Sequence, residues 1–238
     1  MFKETQMKTI HNWLKSEGFF ESDQPTEEKG GQEPERELIQ KLLETYTMDI
    51  TDGYKTVLQT LAKRGKGGAL LEEYRISSAL IDELAEPRKS MDLWSENIVM
   101  QGLLGYTGQQ MGEMYQMARD LYHNKEAERA RKVCLFLLYL HPYIPWFWQL
   151  LGRCWQLQGD TAYASYAYSV AINLEPRSLD LYKDIVSCLI EQEEWDHAES
   201  VVQYGLDRLQ LHEGEEELQQ LEKALRGMSK AITQERKG

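Results

Sequence analysis

Histidine and cysteine are the side chains that most often bind metals or act as nucleophiles, and this sequence arranges neither for such chemistry. The five histidines are scattered, and no two have the spacing of a metal site. The three cysteines form no CxxC pair. Cys154 and Cys188 stand at equivalent places on successive helices, about 8–10 Å apart, which is too far for a disulfide. We predict buried thiols, Cys134 included, and no metal site.

Phosphate binding and acid–base catalysis have no visible apparatus either. The glycines of segments 65–68 and 102–108 lack both the Walker spacing and a preceding strand. The 39 acidic residues outnumber the 27 basic ones and give a net charge of −12, which disfavours nucleic-acid binding. No two carboxylates can be assigned to an apolar pocket. The sequence therefore predicts no catalytic residue, no cofactor and no enzyme activity.

The sequence carries no signal for export or membrane insertion. Charged residues occur throughout the N-terminus, so it lacks the unbroken apolar core of a secretory signal. No window is apolar enough to span a membrane. We expect a soluble protein of a reducing compartment.

The sequence after Gly108 repeats with a period of 34 residues. Ala130, Ala164 and Ala198 have this spacing, and so do Pro142 and Pro176. It is the period of the tetratricopeptide repeat, a helical pair that stacks on its neighbours. Anchoring on the closing proline places the repeats at 111–144, 145–178 and 179–212. The sequence predicts an all-α, right-handed tetratricopeptide-repeat superhelix of three helix-turn-helix repeats, closed by a capping helix over 214–234.

Packing and capping residues agree with this register. Trp148, Trp155 and Tyr168 of the middle repeat fall on consensus packing positions, where large side chains wedge between repeats. Thr107 and Gln110 form a capping-box pattern that opens the repeat region 107–212. Pro145 suits a first helical turn, and Ser178 suits an N-cap.

The residues before the repeats divide into three predicted parts. We expect an N-terminal helix over 1–18, an acidic flexible linker over 19–36 and a helical region over 37–106. Within that region, helical patterns cover 51–62, 69–84 and 91–100. β-Branched residues are sparse and do not alternate with polar ones, so no sheet is expected.

The first helices of tetratricopeptide repeats line a concave groove, and the register assigns its residues. Aromatic and arginine side chains dominate the first two repeats, and these types are enriched in binding hot spots. We expect Arg119 and Arg153, at the same position of successive repeats, to form a polar clamp. The candidate peptide-binding residues are Tyr115, Arg119, Tyr122, Trp146, Gln149, Arg153, Gln156, Lys183, Ser187 and Ile190.

From Gly108 to Leu209 the sequence resembles the class II type III secretion chaperones, the SycD/LcrH group. The resemblance lies in Leu121-Tyr122, Leu151-Gly152-Arg153-Cys154, Gly159, Tyr166, Ala171, Cys188-Leu189-Ile190 and Ala198-Glu199. It implies a cytoplasmic bacterial chaperone of a virulence-associated type III secretion system, without ATPase activity. In this family an extended segment of a secreted translocator or effector occupies the groove, and N-terminal helices form a homodimer.

Three features depart from the family pattern. The region before the repeats is longer, Arg119 replaces an apolar or aromatic residue, and Lys125-Glu126-Ala127 replaces the usual Gly-x-Tyr turn. The alternative function is a tetratricopeptide scaffold or regulatory adaptor that binds a separate partner through its N-terminal helices. For Tyr115, Tyr122 and Trp146 the sequence allows two arrangements, exposure in the groove or burial under the N-terminal helices.

Overall fold

The computed structural model describes residues 42, 45–63, 74–76, 100–210 and 216–236. All regular structure in these ranges is α-helical, which confirms the all-α fold class. The helices are α1 (Thr47–Lys63), α2 (Met100–Leu103), α3 (Gly108–His123), α4 (Ala127–Leu140), α5 (Pro145–Leu157), α6 (Thr161–Leu174), α7 (Leu179–Glu191), α8 (Trp195–Gln210) and α9 (Glu216–Glu235). None of the described helices is both long and apolar enough to cross a membrane. The chain divides into two compact units, an N-terminal unit containing residues 31–158 and a C-terminal unit containing residues 159–238.

The 34-residue period is visible in the backbone of the turns. Lys125, Gly159 and Glu193 follow one another at this interval, and their φ angles are 64°, 82° and 60°. Only the middle residue is glycine, although L residues rarely adopt this left-handed region. The amide of Glu126 donates to the Leu121 carbonyl and the amide of Glu194 to the Leu189 carbonyl, both at 2.9 Å. These bonds are of the type that ends a helix on a left-handed residue, so Lys125 performs the role of the glycine expected in the family.

A second element of the period is an aromatic side chain bonded to the closing proline. In the N-terminal unit, the indole nitrogen of Trp148 donates to the Pro142 carbonyl at 2.6 Å. In the C-terminal unit, the hydroxyl of Tyr182 donates to the Pro176 carbonyl at 3.1 Å. Both donors and both acceptors are 34 residues apart. Proline thus ends one helix and also offers its carbonyl to the first helix of the next repeat.

The capping predictions have different outcomes. The amide of Gln110 donates to Thr107 Oγ1 at 3.2 Å, and the amide of Thr107 donates to Gln110 Oε1 at 2.8 Å, which confirms the capping box. Pro145 occupies the first turn of α5, as predicted. Ser178 is the N-cap residue of α7, but its side chain makes no capping hydrogen bond. The N-cap position at Ser178 is therefore as predicted, without a side-chain hydrogen bond.

Only part of the region before the repeats lies within the described residues. The helix predicted over 51–62 is present as α1, which begins at Thr47. The helix predicted over 69–84 is wrong at Tyr74–Ile76, which are not helical. Their backbone groups form hydrogen bonds with tyrosine hydroxyls instead. The amide of Ile76 donates to Tyr54 Oη at 2.8 Å, and Tyr106 Oη donates to the Tyr74 carbonyl at 2.9 Å. The helix over 1–18 and the linker over 19–36 lie outside the described residues.

The core of the N-terminal unit is built around α4. Every residue from Val133 to Leu140 is buried, because α4 contacts α1, α3 and α5. A helix that is apolar all round is suited to this central place. Trp148 and Trp155 of α5 are 0% and 1% exposed, which confirms their predicted packing role.

The C-terminal unit stacks α6, α7, α8 and α9 in chain order. Gly205 of α8 permits a close crossing, since a Cβ atom there would lie 2.8 Å from both Leu225 Cδ1 and Tyr182 Cε1. Leu225 and Ile232 of α9 are buried, as expected for a capping helix that covers the last apolar face.

Candidate peptide-binding face

The candidate residues of the N-terminal unit lie on two contacting helices, α3 and α5. Their spacing of three to four residues puts those of one helix on one side of it. We call this surface the front face and define it by Tyr115, Arg119, Tyr122, Trp146 and Arg153. Gln149 and Gln156 are at neighbouring register positions. Gln149 is only 8% exposed and therefore belongs to the packing beneath, whereas Gln156 is half-buried.

Tyr115 connects the two helices of the front face. Its ring centroid lies 5.6 Å from that of Phe147 on α5, with an interplanar angle of 45°. Burial raises the pKa of the Tyr115 hydroxyl, while the positive charges of Arg119 and Arg153 act in the opposite direction on that pKa. The polar clamp of Arg119 and Arg153 stays a prediction.

The front face exposes the side chains that most favour protein binding. Trp146 is 45% exposed, Arg119 is exposed, and Tyr122 is half-buried beside His123, with 5.6 Å between ring centroids. Arg119 lies over the ring of Tyr115, 6.0 Å from its centroid. These residues combine rigid apolar area with planar hydrogen-bond donors.

The α1 helix packs on α4. Tyr54 of α1 contacts Phe136 with ring centroids 5.5 Å apart, and Arg131 Nη1 lies 2.8 Å from Asp49 Oδ2. The α1 helix also contacts α3, and Tyr46, directly before it, lies against Trp155 of α5 with 5.9 Å between ring centroids. Trp146 is nevertheless 45% exposed.

We call the α1–α4 contact the back face. It is defined by Asp49, Asp52, Gly53 and Tyr54 of α1 and by Arg131, Lys132 and Phe136 of α4. Sequence reasoning missed this contact. The available signal was a pair of acids on α1 and a basic pair, Arg131-Lys132, on α4.

Phe147 lies beneath the front face, and sequence reasoning missed it. It supports Tyr115 from below and is 4% exposed. Its signal was the aromatic run Trp146-Phe147-Trp148, in which only the last residue falls on a consensus packing position. The structure divides this run into an exposed residue and two buried ones.

The remaining candidates belong to the C-terminal unit and form a separate set on α7. Lys183 Nζ lies 3.0 Å from Asp180 Oδ1, and both side chains are more than half exposed, at 56% and 71%. Ser187 is exposed and Ile190 is half-buried. This set is polar and neutralises its own charge.

The structure also locates the residues considered for other chemistry. All three cysteines are buried and free, as predicted, and burial raises the pKa of the Cys134 thiol. Within the described ranges, no group of three or more histidine, cysteine or acidic side chains could hold a metal ion.

Solved structures share this arrangement of helices. A chain of a T3SS complex from Aeromonas hydrophila aligns with 19% identity and a TM-score of 0.52, over 61% of this chain and 95% of its own length. The type III secretion translocator chaperone SycD from Yersinia enterocolitica aligns with 23% identity and a TM-score of 0.48, over 56% and 97%. In fold, this chain is similar to the chain of the type III secretion complex. The predicted resemblance and the tetratricopeptide fold class are confirmed, while no family model and no curated protein sequence matches the chain.

Proposed function

We propose that this protein is a non-enzymatic chaperone of a bacterial type III secretion system. It holds an extended segment of a secreted translocator or effector in the groove formed by the first helices of its repeats until export. The motif resemblance between Gly108 and Leu209 supports the system, and the shared fold supports the architecture.

The observation that carries the proposal is the front face. Trp146 and Arg119 are exposed while the back of the same unit is filled by α1. Exposed residues of the types enriched in binding hot spots, here on α3 and α5, favour a surface for a partner. Within the C-terminal unit, the proposed binding residues are Lys183, Ser187 and Ile190 of α7.

The proposed mechanism needs no chemistry beyond binding. Aromatic rings of the front face cover apolar client side chains, and the arginines hold client carbonyl or carboxylate groups. Masking these apolar side chains prevents the client from aggregating or associating prematurely. The proposal places the protein in the bacterial cytoplasm and includes a homodimer through the N-terminal helices, which sedimentation at increasing concentrations would test.

The proposal is tested with overlapping synthetic peptides that cover a large, apolar secreted protein encoded beside this chain. We expect one or two adjacent peptides to bind the full chain in fluorescence anisotropy. The double variant Tyr122→Ala, Trp146→Ala should weaken that binding at least tenfold, since hot-spot residues typically contribute about 2 kcal/mol or more each. The matched control Ser187→Ala should change binding less.

Two results would contradict the proposal. Unchanged affinity in the double variant would remove the front face from recognition. Binding of the intact secreted protein only through the first hundred or so residues of this chain would favour the adaptor function instead. Circular dichroism of each variant ensures that lost binding is not lost folding.

A further inference from the structure

The front face carries two arginines, Arg119 and Arg153, on a strongly acidic chain. The chain has a net charge of −12, yet α5 contains no carboxylate and its one charged residue is Arg153. On α3 the two acids are engaged by other groups. Glu113 accepts from Tyr74 Oη at 2.9 Å and from Gln109 Nε2 at 3.2 Å, and Asp120 accepts from Gln116 Nε2 at 2.9 Å.

Arg119 differs from other arginines of the described chain in having no carboxylate partner there. Arg129, Arg131, Arg226 and Arg236 each pair with an aspartate or a glutamate. Arg119 is exposed and makes no ion pair with any described residue; its recorded neighbour is the ring of Tyr115. A guanidinium group that stacks on an aromatic ring directs its N–H donors sideways, away from the ring. Those donors can therefore bind a carboxylate.

The distribution of charge also determines what binds best here. Arg119 and Arg153 are the arginines of the front face, while Glu113 and Asp120 of α3 keep their negative charge, since their hydrogen-bond donors are neutral. Elsewhere the acidic surface disfavours a carboxylate. A single negative group is therefore favourable at one place on the face, and an adjacent apolar side chain can use Tyr115 and the exposed ring of Trp146.

We propose that the front face selects client segments in which a glutamate or aspartate side chain stands within one or two residues of an aromatic or large aliphatic residue. The carboxylate binds Arg119, and the apolar neighbour packs on Tyr115 and Trp146. This inference rests on the proposed function and specifies its ligand. The acid fixes which stretch of an apolar client is held and in which register.

The test uses a display library of random peptides about twelve residues long, enough to cross the face in extended form. The library is selected separately on the immobilised full chain, on Arg119→Gln and on the matched control Arg226→Gln, whose arginine lies outside the candidate residues and already has Glu222 as a partner. We expect acidic residues beside apolar ones to be enriched with the wild-type chain and with Arg226→Gln, and not with Arg119→Gln.

The strongest selected peptide is then made with a blocked C-terminus, in its acidic form and with the acid replaced by the corresponding amide. At low salt we expect this replacement to weaken binding to the wild-type chain about fivefold, and to change binding to Arg119→Gln by less than about twofold. Added salt should reduce the difference. This pattern isolates the pairing of one carboxylate with one arginine.

The outcomes separate this inference from the proposed function. Equal binding of the acidic and amide peptides would overturn the inference, provided that Tyr122→Ala, Trp146→Ala still abolishes binding, and would leave the groove function standing. Affinity that requires a free C-terminal carboxylate would also overturn it. Peptides that bind the aromatic double variant as well as the wild-type chain would overturn the proposed function too.

Discussion

The front face and the back face of the N-terminal unit differ in how closely they are packed by the chain itself. On the back, a Cβ atom added to Gly53 would lie 2.0 Å from the Lys132 carbonyl oxygen, and Arg131 and Lys132 are paired with acids of α1. On the front, a Cβ atom added to Gly112 would meet nothing within 4 Å, and Trp146 is exposed. The comparison teaches that the chain fills its own back face with α1, while the front face on α3 and α5 keeps exposed side chains that we propose bind a partner.

The largest expected effect is on the back face. Gly53→Ala should destabilise the protein by about 3 kcal/mol, since the new methyl group meets backbone that cannot move aside without separating α1 from α4. Gly112→Ala should leave stability unchanged or raise it by up to about 1 kcal/mol, the helix propensity gained. Urea denaturation followed by tryptophan fluorescence measures both. Similar losses in the two variants would show that the faces are equally packed.

The next effect compares two depths of the front face. Tyr115→Ala should lower the free energy of unfolding by about 1.5 kcal/mol, because its half-buried ring packs on Phe147. Trp146→Ala should lower it by less than about 0.5 kcal/mol, as expected of exposed positions. Both should weaken peptide binding. If Trp146→Ala proved as destabilising as Tyr115→Ala, its ring would be part of the core.

A smaller effect concerns charge pairs. The Arg131 and Asp49 side chains are 13% and 22% exposed, whereas Lys183 and Asp180 are mostly exposed. Asp49→Asn should cost about 1 kcal/mol, since it leaves Arg131 partly buried without its partner. Lys183→Gln should cost less than about 0.5 kcal/mol. Chemical denaturation at two salt concentrations distinguishes the pairs; indistinguishable values would show that burial adds nothing to the back-face pair.

The smallest effect is a pH dependence of the back face. The hydrogen bond from Lys55, and after it the one from Lys132, lowers the pKa of the Asp52 carboxyl below its ordinary 3.8. A pKa lowered by folding contributes stability that is present above the unfolded value and is lost as pH falls through the folded one. The stability difference between wild type and Asp52→Asn should therefore shrink below about pH 4. Asp52 is 40% exposed, so we expect about 0.5 kcal/mol or less. A difference that stays constant from pH 7 to about pH 3 would contradict the assignment.

Features that depend on local spacing could be predicted from the sequence. The 34-residue period, the capping box at Thr107, the first-turn position of Pro145 and the buried tryptophans each follow from a helix's own geometry or from a register counted along the chain. The candidate face was predictable for the same reason, since residues three and four apart share one side of a helix.

Features that depend on a distant contact could not be predicted. The helical pattern over 69–84 fails at Tyr74–Ile76 because hydroxyls of Tyr54 and Tyr106 bind their backbone. The left-handed turn at Lys125 is held by the amide of Glu126, although the residue type argues against it. The register assigns Gln149 to the wall of the groove, yet its side chain is buried.

The amino-acid sequence by itself determined the helical repeat, its register and the residue types of the candidate surface, because these depend on intervals along one chain. Only the tertiary structure decided which side of α4 receives α1 and which residues of α3 and α5 stay exposed. That choice depends on complementary shapes and charges, such as Gly53 against Lys132 and Asp49 against Arg131, brought together from residues about eighty positions apart. A pattern along the sequence does not predict such contacts, since side-chain packing and ion pairing act through space.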